Sequence, residues 1–316
     1  MDPAPHASRI PDMKIGLALG SGSSRGWAHI GVIRALAELG IEPDIICGAS
    51  IGALVGASHT VGNLDTLEEW VCSLTKLDIA RFFDLSTSFT GFVNTKRLHE
   101  FLSLHVAAES ALIESFPRQF AAVSTDLETG REVWFTSGPV LEAVWASIAL
   151  PGLFPAIRHK NRWLVDGGLV NPVPVTICRA LGADLVIAVN LNGDIVGKHF
   201  AREPKTPPKK NGMTEALADL VREYAGPLFS FTEEVDEPPS LFDAIAGSVN
   251  IAQERITRSR LAGDPPDILL TPKLSHIGLL ELHRAQEAIG EGRDCVRRML
   301  PEIEHILGTA TPLLAT

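Results

Sequence analysis

The chain has 316 residues, 45% hydrophobic and 21% charged, enough to enclose one sizeable core and at the upper end of what a single α/β domain holds. Its net charge of −10 is spread along the length with no basic stripe, which excludes nucleic acid as the expected partner, because phosphate binding needs clustered lysine and arginine. Cys47, Cys72, Cys178 and Cys295 stand far apart without metal-ligand spacing, so they read as buried thiols of a reducing compartment, and neither metal nor cofactor is expected. The polar, proline-bearing residues 1–14 lack the apolar stretch of a secretion signal, and no run approaches the roughly 18 apolar residues of a spanning helix. A cytoplasmic protein is the expectation.

In chain order, the apolar run 14–19 suits a buried parallel strand and ends in the turn Gly20-Ser21-Gly22-Ser23-Ser24-Arg25-Gly26. A helix over 27–39 follows, with Ile30, Ile33 and Ala37 at helical spacing and Gly40 as its C-terminal cap. A second strand, 44–48, leads through Ala49-Ser50-Ile51-Gly52 into a small-residue helix reaching about residue 60. Two strands each feeding a helix imply βαβ units, hence an α/β fold with a parallel sheet and helices on its faces.

Further along, 64–77 and 94–106 read as helices, the second opened by Asn94 or Thr95. Strands at 120–125 and 132–135 join through a turn at 128–130; a short helix covers 139–146, and a strand at 162–165 ends in Asp166-Gly167-Gly168. A helix at 173–181 and a strongly apolar strand at 184–190 follow. Composition then shifts to Lys, Pro, Gly, Asp and Glu over 192–240, which reads as an exposed, mobile insertion holding one helix at 213–224. A long helix from 241 to about 261, a strand at 268–271 and a helix from about 280 to 308, interrupted near Pro301, complete the chain, without an internal repeat.

Three loops carry candidate chemistry. Gly48-Ala49-Ser50-Ile51-Gly52 fits G-x-S-x-G between a strand and a helix. A serine on so sharp a turn needs small neighbours two residues either side, and the helix behind it aims free N–H groups at a developing oxyanion. A glycine-flanked serine that merely caps a helix fits the same pattern. The 20–26 turn can serve as an oxyanion hole facing Ser50 or as a phosphate loop. The phosphate reading is the weaker: Arg25 holds the position where a dinucleotide fingerprint needs its third glycine, and no P-loop lysine follows. Arg25 can orient the turn through its fork of donors or be a surface charge.

The base is the harder assignment. An α/β-hydrolase needs several strands before its nucleophile, and here only one precedes Ser50. His276, His283 and His305 lack any local signature. Asp166 closes an apolar strand where active-site groups gather in open α/β sheets, although an Asp-Gly turn explains it equally well.

Read together and in this order, the 20–26 turn, the 48–52 elbow and Asp166-Gly167-Gly168 resemble the patatin-like phospholipases. Arg25-Gly26-Trp27-Ala28-His29-Ile30-Gly31-Val32, Thr125-Asp126-Leu127-Glu128-Thr129-Gly130 and Ser147-Ile148-Ala149-Leu150-Pro151-Gly152-Leu153-Phe154-Pro155 extend the likeness. It runs towards bacterial stand-alone members akin to the catalytic domain of neuropathy target esterase. The resemblance implies a three-layer α/β/α fold with a mainly parallel central sheet, spanning 13–310 behind a disordered tail at 1–12. It also implies hydrolysis of lipid esters, either phospholipid or lysophospholipid, with peripheral contact at the inner membrane.

The same resemblance carries the nucleophile onto Ser50, the base onto Asp166, the elbow onto Gly48 and Gly52, and the oxyanion role onto the backbone of Gly20, Ser21 and Gly22 beside Arg25. Gly167 and Gly168 complete the Asp-Gly motif. Ser21 departs from the family's run of three glycines, which implies a tighter approach and an altered acyl preference. A dyad of this kind requires the apolar strand 163–165 to desolvate Asp166 and raise its pKa. The other readings are a phosphate- or nucleotide-binding module and a regulatory relative acting through a protein partner.

Overall fold

Apolar alternation in the early strands decides the layering. The computed structural model describes residues 13–82, 95–195 and 241–308. Strands β1 (Ile15–Leu19), β2 (Ile45–Ala49) and β7 (Leu185–Val189) are buried at every position, as central parallel strands must be. Leu17, Leu19, Ile46, Phe120, Ile187 and Val189 face one core with helices α1 (Ala28–Glu38) and α2 (Ile51–Val61). Ala18, Ile45, Cys47, Val123, Val186 and Ala188 face a smaller one, closed by α7 (Val175–Ala180) and by Leu261 of α8 (Leu241–Gly263). The result is a three-layer α/β/α arrangement.

Eight strands form one sheet. Its order is β5 (Ile157–His159), β6 (Arg162–Asp166), β3 (Gln119–Asp126), β2, β1, β7, β8 (Ile268–Leu270), and β4 (Glu132–Phe135) also pairs with β3. The β1–β2, β1–β7, β7–β8 and β2–β3 pairings are parallel, whereas the β3–β4, β3–β6 and β5–β6 pairings are antiparallel. Strand β3 is the pivot. Its residues 119–123 pair with β2 and its residues 124–126 with β6, while β4 spans 122–125. Because one edge accepts one partner per residue, β2 and β6 share the edge opposite β4 and meet head to head.

Several expected elements change in detail. The single helix expected over 64–77 is two, α3 (Leu64–Ser73) and α4 (Lys76–Phe82). Leu74 takes an extended conformation, and Thr75 and Asp78 form a reciprocal cap: Thr75 N and Oγ1 donate to Asp78 Oδ2 at 3.0 and 2.6 Å. A short 3-10 turn at 23–27 takes the start of the helix expected from residue 27, and β5 is an additional strand. The expected cap Asn94, the tail 1–12 and residues 196–240 with the helix 213–224 lie outside the described residues; α5 (Thr95–His105) begins just after that cap. Asn192 and Ile195, expected at the start of an exposed insertion, are buried, as is Leu191 before them. The helix expected over 280–308 is α9 (Ala285–Arg298) and α10 (Leu300–Leu307), with Pro301 in the first turn of α10, where its missing N–H is harmless.

Helices α1 and α9 cross on paired glycines. A methyl added to Gly31 would lie 1.9 Å from Ile289 O, and one added to Gly292 would lie 2.1 Å from Ala28 O, whereas one added to Gly290 meets nothing within 4 Å. Gly292→Ala therefore forces the helices apart and destabilises by about 1–3 kcal/mol. Gly290→Ala, two residues earlier in the same helix, stabilises by about 0.5–1 kcal/mol through helix propensity. Denaturant melts of the two variants check the opposite signs.

Candidate active site

The meeting of β2 and β6 brings two distant loops together. Ala49, the last residue of β2, pairs with Val123, and Asp166, the last of β6, pairs with the next residue, Ser124. Beyond Ala49 the chain turns sharply: Ser50 has φ 56° and ψ −125°, a region costly for any residue but glycine. The turn is held because a methyl at Gly52 would lie 2.1 Å from Leu19 O and one at Gly48 only 2.4 Å from Ala53 backbone. Ser50 N donates to Ser147 Oγ at 2.9 Å, which fixes the strained peptide from α6 (Val140–Ile148).

Ser50 Oγ then lies 2.5 Å from Asp166 Oδ2. Asp166 Oδ1 accepts from Gly168 N at 2.7 Å, and the backbone of Asp166 is pinned by Ala149 O (3.0 Å, accepting from its N–H) and by Thr125 Oγ1 (2.8 Å, donating to its carbonyl). The carboxyl is 1% exposed, and burial pushes its pKa up to about 7 against the lowering hydrogen bonds from Ser50 and Gly168. Trp163 does not supply that burial, contrary to the expectation for 163–165: it is 44% exposed beneath the Arg158 guanidinium. Val165 is buried, and the loops of Ala149 and Gly168 close over the carboxyl.

The glycine turn lies beside this pair with its carbonyls clamped from the protein side. His29 Nε2 meets Gly20 O at 2.7 Å, Asn192 Nδ2 meets Ser21 O at 3.4 Å, and Arg25 Nε meets Gly22 O at 3.1 Å. Burial lowers the His29 pKa to about 4, so the ring is neutral and donates through Nε2. Burial likewise lowers Arg25 to about 10, with Asp194 opposing the shift. Peptide bonds here are trans, so each clamped carbonyl points the following N–H the other way.

Two of the amides expected to face the reaction are engaged elsewhere: Gly20 N bonds Val189 O at 3.1 Å and Ser21 N bonds Pro172 O at 2.8 Å. The N–H groups of Gly22 and Ser23 have no hydrogen-bond partner among the described residues, and both residues line the cavity. Of the expected donors, Gly22 is therefore free, and Ser23 joins it in place of Gly20 and Ser21. Ser21 is buried, turns its Oγ to Gln253 Oε1 at 3.2 Å and is not part of the cavity lining, so the departure from three glycines does not narrow the cavity.

The cavity holds about 410 Å³. Ser50, Asp166, Gly22, Ser23 and Gln253 supply polar groups, and the rest of its wall is mainly apolar, including Trp27, Leu54, Trp70, Phe101, Leu150 and Phe154. Trp70 and Phe101 stack at 4.3 Å between ring centroids. No Lys or Arg lines it among the described residues, which disfavours a phosphate loop. His276 is held by Glu287 at 2.7 Å, His305 is exposed, and neither these nor His283 lines the cavity. No cluster of three or more metal-binding side chains occurs among the described residues, nor any helix long and apolar enough to cross a membrane. Ser147, His29, Asn192, Asn250 and Gln253 were not legible as site residues; only Ser147 and His29 fall in stretches the motifs had marked.

Residues 17–179 match the family model for patatin-like phospholipase. An NTE family protein of Mycobacterium tuberculosis (strain ATCC 25618 / H37Rv) is 35% identical over 348 aligned positions, covering 96% of both chains. A lysophospholipase of Pyricularia oryzae is 28% identical over 303 positions, covering 90% of this chain and 18% of that protein. A lysophospholipase of Coccidioides immitis is 33% identical over 309 positions, covering 95% of this chain and 18% of its own. With the match covering more than half of the residues and a near full-length relative above 30% identity, the chain belongs to the patatin-like phospholipase family of lipid ester hydrolases.

Proposed function

We propose that this protein releases fatty acids from phospholipids or lysophospholipids through a Ser50–Asp166 dyad and an acyl-enzyme. The observation that carries the reading is the 2.5 Å contact between Ser50 Oγ and a buried carboxyl poised near neutrality. Asp166 takes the hydroxyl proton as Ser50 Oγ bonds to the ester carbonyl carbon, whose oxygen gains the negative charge. The Gly22 and Ser23 amides receive that oxygen, each worth about 3–4 kcal/mol in the transition state. The C–O bond to the leaving alcohol breaks as Asp166 returns the proton to it. Water then gives its proton to Asp166, attacks the acyl carbon and frees the acid, and Ser50 regains its hydrogen.

The acyl chain fits the apolar wall of Trp27, Leu54 and Phe101. The fungal relatives named as lysophospholipases support a single-chain lipid as substrate. Contact with a lipid surface belongs to the same proposal. Ile245 is 49% exposed and one turn before the cavity-lining Val249, and Leu77 is 64% exposed beside Asp78.

Ser50→Ala lowers turnover of p-nitrophenyl acyl esters by at least about 10³-fold while the circular dichroism spectrum holds. Alanine at His276, His283 or His305 leaves turnover within about threefold of the parent. A fluorophosphonate labels Ser50 in the parent, read by peptide mass, and retained turnover in Ser50→Ala ends the assignment.

The base works only when ionised, so kcat/KM climbs with pH through about 7 and levels above it. A rate profile flat from about pH 5 upward contradicts this. Linkage gives a second reading of the same group. Its folded pKa lies above its unfolded one, so the native state holds the extra proton between about pH 4 and 7, and stability falls as pH rises across that window. Asp166→Asn removes the penalty: it raises the melting temperature at about pH 8.5 more than at about pH 4.5, where both forms are neutral, while abolishing most turnover. Melting curves at the two pH values decide it.

A further inference from the structure

Two polar side chains of α8 have no part in the chemistry above, yet lie buried against the glycine turn: Asn250 and Gln253, 4% and 5% exposed. Three residues apart, they stand one turn from each other on the same helix face. Asn250 Oδ1 accepts from Arg25 Nη2 at 3.0 Å, and Arg25 Nε donates to Gly22 O. That carbonyl shares its peptide plane with the Ser23 N–H. Gln253 Oε1 accepts from Asn192 Nδ2 at 3.3 Å, and the same Nδ2 meets Ser21 O. That carbonyl shares its plane with the Gly22 N–H. Each amide free to face the cavity is therefore aimed by a chain of two side chains, and each chain starts on α8.

We propose that Asn250 and Gln253 are paired positioning residues, each fixing the direction of one oxyanion amide: Asn250 through Arg25 for Ser23, and Gln253 through Asn192 for Gly22. The proposal rests on the reading of Gly22 and Ser23 as oxyanion donors. Direction matters because a donor acts only when its hydrogen meets the oxygen at about 2.7–3.1 Å where charge develops. Gln253 also touches the base side of the site. A methyl on Gly168 would lie 2.6 Å from Gln253 Nε2, 2.8 Å from Ser21 Cβ and 2.9 Å from Asp166 Oδ1, so turn, helix and base loop converge on that one glycine. A purely structural role, in which the two side chains only satisfy buried partners, affects folding without singling out the transition state.

The test compares near-isosteric apolar variants, Asn250→Leu and Gln253→Met, with Asn250→Asp and Gln253→Glu, which keep the accepting oxygen. The readouts are kcat and KM for a p-nitrophenyl ester, affinity for a trifluoromethyl ketone whose adduct oxygen mimics the oxyanion, and affinity for uncharged 1-decanol. In each apolar variant kcat and ketone affinity both fall about tenfold, with KM and 1-decanol affinity within about twofold. The Asp and Glu variants keep ketone affinity within about threefold at about pH 9, where Asp166 is ionised. Apolar variants with unchanged kcat and ketone affinity overturn the proposal, as does a parallel loss of 1-decanol affinity. If an apolar variant fails to fold, alanine at the same position takes its place with the same readouts: a loss of about tenfold in ketone affinity, on the order expected for one misaimed donor, with intact 1-decanol binding supports the relay, and unchanged ketone affinity overturns it. Parent enzyme that no fluorophosphonate labels at Ser50 fails the hydrolase reading itself, whereas labelled, active parent with indifferent variants fails the relay alone.

Discussion

One edge of β3 is shared by two strands that arrive from opposite directions, and the contact between Ser50 and Asp166 depends on that sharing. Strand β2 climbs the edge to Val123 and β6 descends it to Ser124, so the residues at their ends are neighbours although 116 positions separate Ser50 from Asp166. Hydrogen bonds from β3 and its neighbours lock the junction. Ser124 Oγ lies 2.7 Å from Val165 O and Thr125 Oγ1 lies 2.8 Å from Asp166 O, both buried and therefore expensive to break. A one-residue slip of β6 along β3 would turn Asp166 to the other face of the sheet, so the strand register and the Ser50–Asp166 contact are one constraint here.

Two opposing electrostatic demands meet at Asp166. Burial favours the neutral carboxyl, and the donors Ser50 Oγ and Gly168 N favour the anion. With these two donors burial wins, leaving the pKa at about 7, as the proposed base requires. A third or fourth donor would pull the pKa back towards that of an ordinary carboxylate and leave a weak base. The absence of any Lys or Arg from the described cavity wall preserves the same balance, since a nearby cation would have the same effect.

Local grammar made much of this legible. Gly48 and Gly52 mark the elbow because backbone approaches them within 2.5 Å of where a side chain would begin, and Gly168 marks the base loop because three groups crowd its missing one. The parallel β1 and β2 strands were legible from unbroken apolar runs. What escaped the reading depends on tertiary contacts. Of the three amides expected as oxyanion donors only Gly22 is free, because Val189 and Pro172, far along the chain, capture those of Gly20 and Ser21. The exposure of Trp163 follows from its place near the sheet's β5–β6 margin, which an apolar triplet does not reveal. The break after Ser73 rests on a reciprocal Thr75–Asp78 cap lying inside an otherwise continuous helical pattern.

The match to the family model ends at residue 179, yet the site does not end there. Residues 17–179 hold both members of the proposed dyad and the whole glycine turn, but of the groups that clamp the turn only His29, Arg25 and Pro172. Val189 takes the Gly20 amide, Asn192 holds the Ser21 carbonyl, and Asn250 steadies Arg25, all from beyond that limit. Arg260 of α8 also binds Val170 O at 2.8 Å and pairs with Glu132, fastening the helix to the far side of the base loop. The division is physically sensible. A reactive pair needs two strands meeting in register, which parallel β2 and antiparallel β6 supply on one edge of β3, whereas aiming backbone amides needs rigid polar supports behind them. Here His29 and Arg25 supply part of that support and β7, the turn after it and α8 supply the rest, so the proposed oxyanion amides draw on more of the chain than the proposed dyad does.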